Sequence, residues 1–348
     1  MDRKQFTAEN GHVRVEIQPF ADLPAGHIRV EVEHSGVSTG TELLLLENSR
    51  NSSGSFAIGY QAAGIVTEVS ADLADTFTAG DRVACYGAPY TGHASHLNVP
   101  RHLAAKLAPG VKTSHACFGG LSSIALHGFR QTGCSIGETV AVIGLGLLGN
   151  LAAQCARGAG CQVACCELLP ARVSAAAAAG LEVIPTLDAL HSRIHDLTDG
   201  HGADAVILAV KNADSTMLAE AYKLVRRLGK VVILGLSDGT VPRELMFAKE
   251  ASMIVSRAAG WGRYNNDYEF GGQDFPYEHA RWTEGRNLRE VVRLMEIGAL
   301  NIELLITDAL AYDDCAKAYE MLQENPAEHL AVVINWNGER GGDRTLGQ

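Results

Sequence analysis

The run Gly144-Leu145-Gly146-Leu147-Leu148-Gly149 constrains this chain more than any other feature. A Gly-x-Gly-x-x-Gly run alone is a common turn, but here the apolar stretch TVAVI precedes it and the helical pattern LLGNLAAQCARG follows. That order is a strand, a tight turn and a helix. Gly144 suits the turn, Gly146 leaves room for a pyrophosphate, and Gly149 lets helix and sheet pack closely. The amides of Leu147 and Leu148 open the helix, whose N-terminus favours an anion. A second strand, QVACCE, ends on Glu167, 18 residues past Gly149. A carboxylate there accepts ribose hydroxyls and repels a 2′-phosphate, so NAD is expected over NADP. Arg172, five residues on, either flanks the adenosine or is a solvated helix residue. The remaining alternative is a turn of this type that binds no nucleotide.

Later strands extend the same unit. DAVILAV ends at Val210, and KVVILGL carries Leu234-Gly235 just before its last residue, Leu236. Both endings belong to the C-terminal edge of a parallel sheet, where such folds bind ligands. Val210, Leu234 and Gly235 are therefore expected to line the cofactor. A helix is read through AEAYKLVRRLG, between those two strands. Near-continuous Val, Ile and Leu strands between amphipathic helices imply a sheet covered on both faces.

The first 120 residues or so have another texture. HVRVEI, HIRVEVEHSGV, AAGIVTEV, DRVACYG and ASHLNVP are short strands separated by turn residues, the pattern of a small barrel-like β domain. From about Trp261 the chain turns polar and aromatic, before a helix at LREVVRLMEIG and a strand at AVVINW. The polar, Gly-rich end, 337–348, is expected to fray.

With 20% charged residues and a net charge of -11, the chain lacks the clustered basic residues of a nucleic-acid binder. No window reaches the apolar length of a membrane span. The polar start MDRKQFTAENGHVRVEI has no apolar secretion core, and the eight cysteines show no metal-finger spacing. Reduced, buried thiols in a cytoplasmic protein are the expectation.

With a β domain first, the dinucleotide unit second and a returning C-terminal segment, the chain resembles the medium-chain dehydrogenase/reductases, the zinc alcohol dehydrogenase-like enzymes. The resemblance extends to Trp336. It implies an α/β architecture: a GroES-like β-barrel catalytic domain (1–121 and 283–348) and a Rossmann, doubly wound parallel-sheet cofactor domain (122–282). It also implies a homodimer. Within the superfamily, SGVSTGTE and SRAAGWGRYNNDYEFGGQDFPYEHARWTEGRN resemble a branch linked to sugar, cyclitol and polysaccharide metabolism. In the family pattern a catalytic zinc is held by a cysteine, a histidine and a third Cys or Glu. The matching positions here are Thr39, Tyr60 and a site near Gly120. None of the three supplies a thiolate, imidazole or carboxylate, so no zinc is expected. The structural zinc lobe has no counterpart between Cys85 and Cys117. A regrouped metal site on Glu42, His93 and His96 is the alternative.

Without a metal, a side chain must handle the proton of the reacting alcohol. The resemblance places Tyr60 at an inferred metal position, Thr41 at a hydroxyl relay, and Glu42 at an acid that usually supports the metal-site histidine; here Glu42 is expected to orient or activate Tyr60. Each also has a structural reading: Tyr60 as packing, Thr41 and Glu42 as a helix cap. Lys211, just beyond DAVILAV, either polarises the substrate oxygen or is a surface lysine. Ser38, Thr39, His93, Arg263, Tyr264, Arg281 and Trp282 are candidate substrate contacts, because hydroxyl, guanidinium and aromatic groups suit a hydroxylated ligand. His93 can instead be structural, and the 261–287 segment can be an interface. The expected activity is a zinc-independent, NAD-dependent dehydrogenase or ketone reductase for a sugar, cyclitol or polyol. A quinone or enone reductase and an inactive nucleotide sensor are the alternatives.

Overall fold

A computed structural model describes residues 2–51 and 54–337; the Gly-rich tail from 338 onward lies outside the described residues. The chain divides into two compact units. One comprises 1–121, 261–296 and 306–348; the other comprises 122–260 and 297–305. The expected boundary at 282/283 is thus moved: residues 261–282 belong with the β unit. Local pairings explain the move. Trp261 bridges to Thr283, and Arg286 ties back to Asp274 and to the carbonyls of Phe275 and Ala280.

The nucleotide-type unit is a six-stranded parallel sheet. Its spatial order is Glu182–Ile184, Gln162–Cys166, Thr139–Ile143, Ala203–Leu208, Val225–Ile233 and Ser252–Val255. The chain order therefore reverses between Thr139–Ile143 and Ala203–Leu208, which makes the crevice at their C-terminal ends the natural ligand site of such a sheet. All five residues of Thr139–Ile143 are buried, as both-face coverage requires, each large apolar side chain contributing about 1.5–3 kcal/mol. One helix is shorter than its pattern suggests. It spans Ser215–Leu224, and VRRLG opens the next strand, Val225–Ile233. Arg226 is drawn onto Asp204 at 2.6 Å, and Leu228 takes a left-handed φ of 62°, so the segment forms a bulge.

The β unit holds two sheets. Asp2–Glu9 lies between His12–Pro19 and Phe56–Ala57, and a seven-stranded sheet is built around His27–Gly36 and Gln61–Val69. Phe6, Ile28, Val30, Leu46, Val83, Val99 and Ile334 fill its core. Leu43–Leu46, the longest early apolar run, falls in the helix Thr39–Asn48. A second helix, Glu284–Glu296, packs on Arg101–Leu103 and Ala104–Lys106.

Among the described residues no helix is long and apolar enough to cross a membrane. All eight cysteines are free, seven of them buried. Burial pushes the Cys85, Cys117 and Cys165 thiols far above the ordinary range, which keeps them protonated packing groups.

Candidate functional site

In the parallel-sheet unit the glycine turn is built as the sequence suggests. Gly144 sits at φ 90°, and a side chain there would meet the Ala209 carbonyl oxygen at 2.9 Å. A Cβ on Gly149 would come within 2.0 Å of the Gly144 carbonyl oxygen, so only glycine lets helix and turn approach. Gly146 is the helix N-cap and no side chain caps it, leaving the start of the Leu147–Gly158 helix for an anion. Glu167 is nearly buried, and both of its carboxyl oxygens are engaged by backbone amides. One carboxyl oxygen accepts the Leu145 amide at 2.8 Å; the other accepts Leu168 and Leu169 at 2.7 and 3.0 Å. It clamps the glycine turn to the loop after the second strand. Arg172 lies 3.8 Å from Glu167 and is the nearest group to a Cβ on Gly146, at 3.7 Å.

Val210 flanks Gly144, and its carbonyl stands 2.1 Å from where a Gly235 side chain would begin. The Leu234 amide donates to Leu208, and the Leu234 side chain fills the space beside Gly128. Lys211 is exposed at the same edge. The residues present therefore fit a dinucleotide: two obligatory glycines, an uncapped helix start and an oriented carboxyl.

Of the catalytic candidates, Tyr60, Thr41 and Glu42 belong to the β unit, whereas Lys211 belongs to the other. Ser38 stands at the N-cap position of the Thr39–Asn48 helix without a side-chain capping bond, and its amide donates to Glu42 Oε1 at 2.7 Å. Tyr60 donates its hydroxyl to Ser38 Oγ at 2.7 Å. Burial, and secondarily the Glu42 charge, push the Tyr60 phenol far above its ordinary range, while Ser38 and Thr41 hydroxyls oppose the shift. Tyr60 is thus a proton donor rather than a phenolate base near neutral pH. Thr39 is half-buried and Thr41 exposed.

Glu42 does not bond Tyr60 directly; it acts through Ser38. Its second oxygen accepts His93 Nε2 at 2.9 Å and the Tyr319 hydroxyl. His93 is fully buried, with Nδ1 on Ser35 Oγ at 2.7 Å, where Trp336 also donates. Both its nitrogens are engaged, so His93 is a core residue and not a substrate contact. The same engagement removes Glu42 and His93 from a regrouped metal site. His96 is turned to Ser95.

The three positions expected for zinc ligands do not suit a metal. A side chain at Gly120 would meet the Tyr86 ring at 2.5 Å, so Tyr86 fills the third ligand's place. Thr39 and Tyr60 offer only hydroxyls. Among the described residues, no group of three or more His, Cys, Asp or Glu is placed to hold a metal.

The polar segment divides sharply. Arg263 is buried: its guanidinium donates to Glu269 and to the Ala88 carbonyl, and lies 4.2 Å from the Tyr264 ring centre and 5.7 Å from that of Tyr86. It is spent on internal partners and is not a free substrate contact. Tyr264 is exposed at φ 66°. Arg281, also exposed, stacks 3.7 Å over Trp282 and 4.5 Å over Tyr277. Tyr264, Arg281 and Trp282 can still meet a ligand. Sequence reasoning missed Tyr86, which packs edge-on to Tyr60 at 5.9 Å, and the acids Glu269 and Glu284. Glu284 was detectable, because it falls on the helical stripe of Leu288, Val291 and Val292, all buried.

Residues 148–270 match the family model described as zinc-binding dehydrogenase. The chain is 23% identical over 289 residues to D-guloside 3-dehydrogenase of Escherichia coli K12, covering 81% of this chain and 78% of that one. It is 23% identical to sorbitol dehydrogenase of Bacillus subtilis 168, covering 92% and 94%. The structure of 2R,3R-butanediol dehydrogenase from Bacillus subtilis superposes with a TM-score of 0.76 at 18% identity, covering 96% and 100%. The fold is that of the medium-chain dehydrogenases, a β unit joined to a Rossmann sheet.

Proposed function

We propose that this relative of the zinc-binding dehydrogenases oxidises a secondary alcohol of a sugar, cyclitol or other polyol, or reduces the matching ketone, with NAD and without catalytic zinc. The observation that carries the reading is the Tyr60 hydroxyl, held 2.7 Å from Ser38 Oγ where the family pattern has a metal ligand. The relatives named for guloside and sorbitol support the substrate class.

Gly144, Gly146, Gly149 and the 147–148 amides would hold the pyrophosphate, with Glu167 and Arg172 at the adenosine ribose. A dinucleotide held there would supply the redox chemistry, as the acceptor or donor of hydride. The chain's own residues handle the proton. In the reducing direction Tyr60, protonated and aimed by Ser38, donates to the carbonyl oxygen, and the Ser38 and Thr41 hydroxyls stabilise the phenol as it gives up its proton. In the oxidising direction the same route runs backwards. Glu42 fixes the helix start that carries Ser38 and Thr41. Tyr264, Arg281 and Trp282 offer stacking faces and a guanidinium to the other hydroxyls of a polyol.

The test pairs a panel of polyols with NAD against a panel of quinones and enones with NADH, alongside metal analysis. Turnover of polyols by protein with far less than one zinc per chain is expected. Tyr60→Phe should lower kcat by about 100-fold or more, the scale of a lost general acid. Stoichiometric zinc, preference for enones, or nucleotide binding without turnover each overturns the reading.

A further inference from the structure

Glu284 opens the Glu284–Glu296 helix, its amide donating to the Trp261 carbonyl at 2.8 Å. A carboxyl in a first helical turn ordinarily reaches water or the helix's free amides. This one is fully buried, and no donor reaches either of its oxygens; the polar group it faces is the carboxyl of Glu269, to which it can hydrogen-bond only when protonated. The backbone cannot swing it outward, because Gly285 is wedged on His102: a side chain at 285 would lie 2.3 Å from the His102 carbonyl oxygen. Glu284 therefore lies enclosed near a second buried acid, Glu269, and the one guanidinium that Glu269 binds, that of Arg263. Two buried carboxylates against one cation leave an uncompensated charge, which a protein interior does not tolerate cheaply.

We propose that Glu284 is a positioning residue of the catalytic unit: kept neutral, it leaves Arg263 undivided between Glu269 and the Ala88 carbonyl, and so holds the Tyr86 ring against Tyr60. Through that ring it acts on the proton donor, and this role rests on the dehydrogenase reading above. The chemistry of the surroundings agrees. Burial, then the Glu269 charge, push the Glu284 carboxyl up to about 9, and Arg263 only partly offsets them. The groups facing Glu284 are Glu269, Arg263, Tyr86 and Tyr268. On the 101–106 segment packed against its helix stand Arg101, His102 and Lys106; His102 stacks on Tyr268 at 4.4 Å and Lys106 pairs with Asp81. None of the three is among the groups that act on Glu284. When Glu284 ionises, it competes with Glu269 for Arg263, loosening the guanidinium from the face of Tyr86.

The experiment uses the full chain, Glu284→Gln and Glu269→Gln. Melting is followed from about pH 5 to pH 10, and kcat and KM are measured over the same range. Between the ordinary glutamate range and about pH 9, the unfolded chain releases this proton and the folded chain keeps it. Stability conferred on the wild type thus falls with rising pH, by up to about tenfold in the folding constant per unit, and levels off above. Glu284→Gln has no such proton, so its melting advantage should grow with pH across that window. Wild-type kcat should fall above about pH 9, approaching tenfold per unit, with little change in KM, and this limb should vanish in Glu284→Gln. Glu269→Gln, lacking the neighbouring charge, should move the limb to lower pH. A melting difference that ignores pH, or an alkaline limb that survives in Glu284→Gln, overturns the proposal. If no polyol is turned over, the functional reading fails separately and the melting comparison alone decides the state of Glu284.

Discussion

Glu42 shows how one side chain serves both fold and site. Fully buried, it accepts the Ser38 amide, His93 and the Tyr319 hydroxyl. Each of these donors would be stranded without it, and an unsatisfied buried donor costs about 1–3 kcal/mol. Glu42→Ala is therefore expected to lose at least about 3 kcal/mol of unfolding free energy in a denaturant titration, the range for breaking a buried polar pair. His93→Phe, which leaves the other two donors satisfied, should cost less. A loss for Glu42→Ala within the range of surface substitutions would show that the network is not closed as described. The sequence marked Glu42 and Ser38 as site residues, and both stand beside Tyr60. It also offered His93 as a ligand contact, and the core histidine it turns out to be was the competing reading. The difference lies in Ser35, which meets His93 from 58 positions away and is itself tied to Trp336, 301 positions further on, and in Tyr319, which shares Glu42 with His93. No local pattern announces such partners.

At the scale of elements, legibility followed the range of the interactions. The turn at Gly144–Gly149, its flanking strand and helix, and Glu167 lie within one contiguous unit, so glycine spacing and apolar periodicity sufficed. The Ser215–Leu224 helix ended early because Asp204, on a neighbouring strand, captures Arg226. The 261–282 segment moved to the β unit through the Trp261–Thr283 bridge and the Arg286 ties, all tertiary. Glu167 carries the prediction at this level. It accepts amides from both the glycine turn and the following loop, so it orders the proposed cofactor cradle in addition to the ribose contact proposed for it. Glu167→Ala should weaken NADH binding about tenfold or more, the worth of a charge-assisted hydrogen bond. It should narrow the preference over NADPH, since the repelling carboxylate is gone and Arg172 remains. Titration of intrinsic fluorescence with each nucleotide measures both effects; an unchanged preference would remove Glu167 from the specificity argument.

For the whole molecule, the division into two units makes the effect of the cofactor local. All the residues assigned to the dinucleotide belong to 122–260, whereas Tyr60, Ser38, Thr41 and Glu42 belong to the β unit. A ligand that binds only the folded form stabilises what it touches, by about 2.7 kcal/mol at a hundred times its dissociation constant. NADH should therefore slow amide hydrogen exchange along Thr139–Ile143, the 144–149 turn and Gln162–Cys166. The His27–Gly36 strand, whose stability rests on its own sheet and core, should be far less protected. A chelator separates this effect from that of a metal. Where zinc contributes to a fold, its removal lowers stability outright, because metal binding free energy is folding free energy. Here Thr39, Tyr60 and the Tyr86-filled space at Gly120 offer nothing to lose. Prolonged treatment with EDTA should leave melting temperature, polyol turnover and the NADH-induced protection all unchanged. Loss of turnover on chelation, restored by added zinc, would mean that the chain holds a metal by residues other than those three, and that Tyr60 is not its principal acid.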